Sequence, residues 1–223
     1  MTSPPLPVGA FFLRHVGGLT GRAISAMQGF VRGGSYWTHA GLILDRGQYI
    51  QGQPRGAAIY PISNLFDGQP LLVSDAPIQV ALAQDRSWLA NATRPDGQPH
   101  NHAVCGSCQN HEDRVRARVD AEARRLEHAS YSYLDYPVLG LAELARLHPN
   151  NAALTAFAAG LRHYINHSGH LICSALVDRG YQNANVKVYD DGRMPGDVTP
   201  EDLAEYAYAD GRTPLIDTRE NPK

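Results

Sequence analysis

An α+β fold is predicted for this sequence by where its two kinds of hydrophobic pattern fall. Apolar and aromatic runs separated by Gly, Pro and Asp turns crowd the first third of the 223 residues. Apolar residues at helical spacing fill most of the rest. That segregation separates an antiparallel sheet from a helical layer within a single domain spanning residues 1–223.

The elements follow in order. Residues 1–7 are proline-rich and form a loose lead-in, and Val8 to Leu13 makes a short strand. Gly17, Gly18 and Gly21 punctuate the chain before Ile24, Met27, Phe30 and Val31 recur at helical spacing, and Gly33-Gly34 stops that helix. Tyr36 to Leu44 is the clearest strand, Asp45-Arg46-Gly47 is a turn, and Gln48 to Gln51 returns. After the break at Gln53-Pro54-Arg55-Gly56, Ala57 to Ile62 and Leu71 to Ser74 are further strands, so residues 36–78 are expected to form one meander. Residues 84–111 lose periodicity and are expected to be a long insertion loop.

A helix over 112–128 carries the stripe Val115, Val119, Ala123 and Leu126, with Glu112/Arg116 and Asp120/Arg124 in the favourable i,i+4 order on a solvated face. Pro137 suits the first turn of a helix reaching about Leu147, and Ala152 to Tyr164 and Leu171 to Tyr181 are helical too. Thr199-Pro200-Glu201-Asp202 is a helix start: a capping hydroxyl, a proline at the first position, then acids that suit the dipole. Residues 209–223 are expected to be a tail.

Composition removes several classes of function. Twenty Lys+Arg against 22 Asp+Glu leave a net charge of −2, without the basic surplus that nucleic-acid binding needs. An apolar content of 43% is too high for a disordered chain. No run approaches the roughly 20 apolar residues of a membrane span. The N-terminal apolar stretch is short, ends at Arg14 and has no basic region before it, so no signal peptide is expected and cytoplasmic synthesis is the default. Three cysteines, an odd count, do not make a disulfide framework.

Cys173 falls in the first turn of its expected helix, where backbone N–H groups and the dipole favour a thiolate. By position alone it reads as a small buried hydrophobe. His39 sits in an otherwise apolar strand, where it is either a hydrogen-bonded core residue or a base facing a groove. Together the two are what a cysteine hydrolase needs: the imidazole takes the thiol proton and later gives it to the leaving group. A third polar group must then orient the ring, and the next strand offers Gln51 and Gln53. Parity decides whether they reach. A two-residue turn at Arg46-Gly47 places both glutamines on the face opposite His39; a three-residue turn, Asp45-Arg46-Gly47, places both on its own face. The mechanism therefore predicts an odd-length loop or a bulge.

Four stretches taken in order carry a family resemblance. They are Tyr36-Trp37-Thr38-His39-Ala40-Gly41-Leu42-Ile43-Leu44, the strand Tyr49 to Ala57, Tyr131-Ser132-Tyr133-Leu134-Asp135-Tyr136, and Gly169-His170-Leu171-Ile172-Cys173-Ser174-Ala175-Leu176-Val177. With Gly192 to Pro200 they resemble the circularly permuted NlpC-type cysteine hydrolases, the YiiX/YebB-like branch of the papain-like thiol enzymes, over roughly residues 8–208. The resemblance implies a permuted papain-like fold: a small antiparallel meander or barrel packed on a helical layer that bears the nucleophile. It also implies Cys173 as nucleophile, His39 as base and Gln51 as orienter. Gln51 stands where relatives often carry glutamate, and a neutral amide stabilises an imidazolium less than a carboxylate does.

The resemblance further implies an amide substrate, such as a cell-wall peptide, with acyl-lipid ester or transfer chemistry as the alternative. A binding module of the same fold with weak turnover is the other alternative, supported by the neutral Gln51. His100, His102, Cys105, Cys108 and His111 lie within one short stretch that suits either a polar surface loop or a structural zinc site. No other metal or cofactor is expected. His163 and His167 precede the Cys173 helix as surface residues, and His170 is a candidate to line its groove.

Overall fold

The computed structural model describes residues 5–15, 36–53, 55–90, 106–131, 148, 150–157, 159–160 and 171–219. Six strands form one sheet: β1 (Phe11–Arg14), β2 (His39–Leu44), β3 (Gln48–Gln53), β4 (Gly56–Pro61), β5 (Leu71–Ser74) and β6 (Ile216–Asp217). Their order is β4-β3-β2-β1-β5-β6, and every pairing is antiparallel. The helices are α1 (Ala76–Ala90), α2 (Gly106–Arg125), α3 (Cys173–Asn183) and α4 (Pro200–Tyr208). Residues 152–157 are also helical. The α+β class expected from the pattern is what the molecule shows.

Three expectations change. The meander holds for β2, β3 and β4, but β5 leaves it and pairs with β1 on the far side. Phe11, Phe12 and Leu13 are all fully buried, so β1 is apolar on both faces and takes partners on both edges. Both ends of the expected insertion loop 84–111 are helical, because α1 runs on through Ala90 and α2 begins at Gly106; residues 91–105 lie outside the described residues. The C-terminal tail is structured in part. Its β6 sets Asp217 opposite Leu72 and Ile216 opposite Val73, and the Leu71 N–H donates to Thr218 Oγ1 at 2.8 Å. The expected helices over 24–33 and 137–147 lie outside the described residues.

Alternation divides the sheet between two clusters. Phe11, Leu13, Leu42, Leu44, Ile50 and Leu72 face the helical layer, where Val115, Val119 and Ala123 of α2 and Leu176, Val177 and Tyr181 of α3 meet them. Phe12, Ile43, Tyr49, Leu71 and Val73 join Leu65 in a smaller cluster on the other side. Gly180 lets α3 lie close on the sheet, since a Cβ there would stand 2.7 Å from Leu42 Cδ1. The Tyr181 hydroxyl, buried at the same contact, donates to Gly9 O at 2.7 Å.

The α2 face expected to be merely solvated does more. Arg116 makes its ion pair with Glu112 but also reaches Asp75 at 2.8 Å and donates to Val8 O at 2.9 Å. Arg124 pairs with Asp120 and donates to Gln48 Oε1 at 2.9 Å. Both side chains thus tie the helix to the sheet. Among the described residues no helix is long and apolar enough to cross a membrane.

Candidate functional site

The hairpin between β2 and β3 decides whether a site can form. Leu44 pairs with Gln48, so the loop is Asp45-Arg46-Gly47, the odd-length turn the mechanism requires. Arg46 and Gly47 both take positive φ, 59° and 65°, which closes so short a loop. Gly41 then stands opposite Gln51, which puts Gln51 on the face of His39 and diagonal to it.

The side chains use that register. His39 Nε2 and Gln51 Oε1 are 2.8 Å apart. An amide oxygen only accepts, so Nε2 carries the proton and donates. In the neutral ring this leaves the lone pair on Nδ1. Gln53, the other candidate orienter, is engaged elsewhere: the Tyr60 hydroxyl donates to its Oε1 at 2.7 Å. Of the two glutamines, the structure therefore brings Gln51 to the imidazole.

Cys173 is the first residue of α3, and it is fully buried. Its sulfur lies close enough to His39 to act on the protonation of the ring. Close packing at Gly52 allows this approach. A Cβ on Gly52 would lie 2.5 Å from the Tyr131 ring and 3.5 Å from Cys173 Cα. Only a residue without a side chain admits both the ring and the first turn of α3 at the end of β3. Two further contacts fix that turn. The Leu171 N–H donates to Ser130 O at 2.8 Å, and the Ser174 hydroxyl donates to Val198 O at 2.6 Å.

The start of α3 has no side-chain cap. Ile172 occupies the capping position in extended conformation, φ −83° and ψ 166°. Its side chain is buried in the core and accepts no hydrogen bond. Backbone N–H groups of the first turn therefore lack the acceptor that Ser, Thr, Asp or Asn would supply. They point where negative charge is best accommodated.

Electrostatics at His39 follow from its neighbours. Burial pushes the ring down. A hydrogen bond from the ring to a Cys173 thiolate, the negative charge of that thiolate and the bond to Gln51 push it up, while Arg14 pulls it down. The outcome is a ring raised above its ordinary 6.5. A raised imidazole beside a sulfur at a helix start favours the thiolate–imidazolium pair.

The structure brings together Cys173, His39 and Gln51. The other sequence candidates fall differently. The backbone of Cys108 belongs to α2, and His111 pairs with Asp85 at 2.8 Å. Cys105, His100, His102, His163, His167 and His170 lie outside the described residues. Among the described residues, no group of three or more His, Cys, Asp or Glu is placed to hold a metal ion.

Sequence reasoning passed over two features. One is Ile172, whose signal was the missing polar cap before Cys173. The other is Arg14, which pairs directly opposite His39 and holds Asp67 at 2.5 Å. Nothing local in the sequence links those three residues. A scan against protein-family models and a search of curated proteins find no match to this chain.

Proposed function

We propose that the protein is a thiol hydrolase that cleaves an amide bond through an acyl-enzyme on Cys173, within a permuted papain-like fold. The observation that supports this most is the placement of Cys173, at the start of α3 where Ile172 supplies no side-chain cap, beside a His39 ring that Gln51 holds.

Each group has a task in that reaction. His39 takes the Cys173 proton, and the thiolate attacks the substrate carbonyl carbon to form the C–S bond. The oxyanion that develops is stabilised by backbone N–H groups of the first turn. As the tetrahedral adduct collapses, the C–N bond breaks and His39 gives its proton to the departing amine. Water then enters, His39 removes its proton, and hydroxide attacks the thioester. Collapse breaks the C–S bond, releases the carboxylic acid and returns the proton to the Cys173–His39 pair. Gln51 holds the ring throughout, keeping the proton on Nε2. A cell-wall peptide is the substrate class first screened, because the amide-cleaving branch of the resemblance implies it.

The test is the rate of iodoacetamide labelling at Cys173, followed by peptide mass spectrometry from pH 5 to 9, beside His39→Ala. Cys105 and Cys108 serve as controls in the same digest. Rapid labelling below pH 7 that the His39 change removes is the expected result. A sulfur that does not label, or one titrating near the free-thiol value of about 8.5 whatever stands at 39, defeats the proposal.

A further inference from the structure

Arg14 is an unexpected neighbour for a base that must become a cation. It stands directly opposite His39 in the β1–β2 ladder. Opposed residues in an antiparallel pair share a face, with Cβ atoms about 5 Å apart, and like charges so placed repel. The Arg14 side chain is only 12% exposed, so water screens its charge poorly. Its Nε is buried with no acceptor among the described residues.

One carboxylate answers that charge. Arg14 donates to Asp67 Oδ1 at 2.5 Å, and Asp67 is held in turn by the Gln69 N–H at 3.1 Å. Asp67 lies half exposed in the loop that leads from β4 to β5. Burial acts to raise its carboxyl, but the hydrogen bonds from Arg14 and Gln69 hold it below the usual carboxylate range, so it stays ionised.

We infer that Arg14 and Asp67 are a charge-setting pair for His39: Asp67 cancels the guanidinium that β1 places opposite the ring, so that an imidazolium forms there. Both are positioning residues, acting through His39 rather than on substrate, and the inference rests on His39 being the site's base. Among the described residues, the groups that face His39 are then Cys173 from α3, the neutral Gln51 from β3 and Arg14 from β1, with Asp67 behind Arg14.

The pair predicts shifts of opposite sign. Asp67→Asn keeps an acceptor for Arg14 but removes the compensating charge, so His39 loses its proton at lower pH. Arg14→Met removes the repelling charge, and His39 keeps its proton to higher pH. The readout is the His39 imidazole titration by NMR, assigned by comparison with His39→Ala. A purely structural role moves neither midpoint, or moves both the same way as the site loosens; either result overturns the inference. Asp67 is a surface residue, so Asp67→Asn decides alone if Arg14→Met does not fold. Opposite shifts with an unreactive Cys173 would leave this electrostatic inference standing and remove the thiol chemistry.

Discussion

Two helices of this molecule begin in opposite ways. At α4, Thr199 caps the first turn: its Oγ1 accepts the Asp202 N–H at 3.1 Å, while Asp202 accepts the Thr199 N–H at 2.8 Å. Pro200 fills the first position, and Glu201 and Asp202 meet the dipole. Arg193 adds a cation to Asp202 at 3.2 Å. Every device that closes a helix end is present. At α3 none is: Ile172 gives no acceptor, no acid follows in the first turn, and a cysteine comes first. Ile172 is also part of the core, so a polar cap there would cost buried apolar area. The contrast separates an end closed by side-chain caps from one whose capping position, Ile172, supplies none.

The largest effect that tests this contrast is kinetic. His39→Ala is expected to slow Cys173 alkylation at pH 6 by about 10²-fold or more, as loss of a positioned base does. Thr199→Ala should leave that rate unchanged. A similar slowing by both would show that α3 responds only to general loosening.

Next comes Gly52→Ala. Its methyl group must displace the Tyr131 ring or the start of α3. The expected cost is about 1–3 kcal/mol in denaturant unfolding, together with slower alkylation. Thr199→Ala is expected to cost about 1 kcal/mol through the lost cap alone. Unfolding curves of equal slope would place that loss in the native state.

The smallest effect is on pH dependence. The folded state raises His39 above 6.5, so the stability tied to its protonated form is complete below that value. It is lost as the pH rises through the folded value. The difference in melting temperature between the wild type and His39→Gln should therefore narrow from pH 6 to pH 9. A gap that widens over this range would reverse the assigned direction.

Much of the fold was legible because it is written locally. The β2–β3 register follows from one loop length, and the α4 start from four consecutive residues. The pairing of α2 through Glu112/Arg116 and Asp120/Arg124 is likewise an i,i+4 matter. What escaped was non-local. The partner of β5 is decided by the second open edge of β1, not by its nearest strand in sequence. Strand β6 has two residues and no pattern of its own; its structure comes from pairing with Leu72 and Val73. For the site, the next strand offered two glutamines, and loop parity decided only whether they could reach His39. The choice of Gln51 over Gln53 turns on Tyr60, which occupies Gln53. Arg14 and Asp67 were invisible for the same reason: 53 positions of chain separate them.

The bond between Leu71 and Thr218 spans 147 positions. At ribosomal speeds of roughly 5–20 residues per second, the last strand follows its partner by about 7–30 seconds. For that interval β5 has an open edge, and the sheet is exposed to pairing with other chains. Cys173 is also translated long after His39. A nascent chain therefore carries His39, Gln51 and the rest of β2 and β3 before α3, and Cys173 with it, can pack beside them.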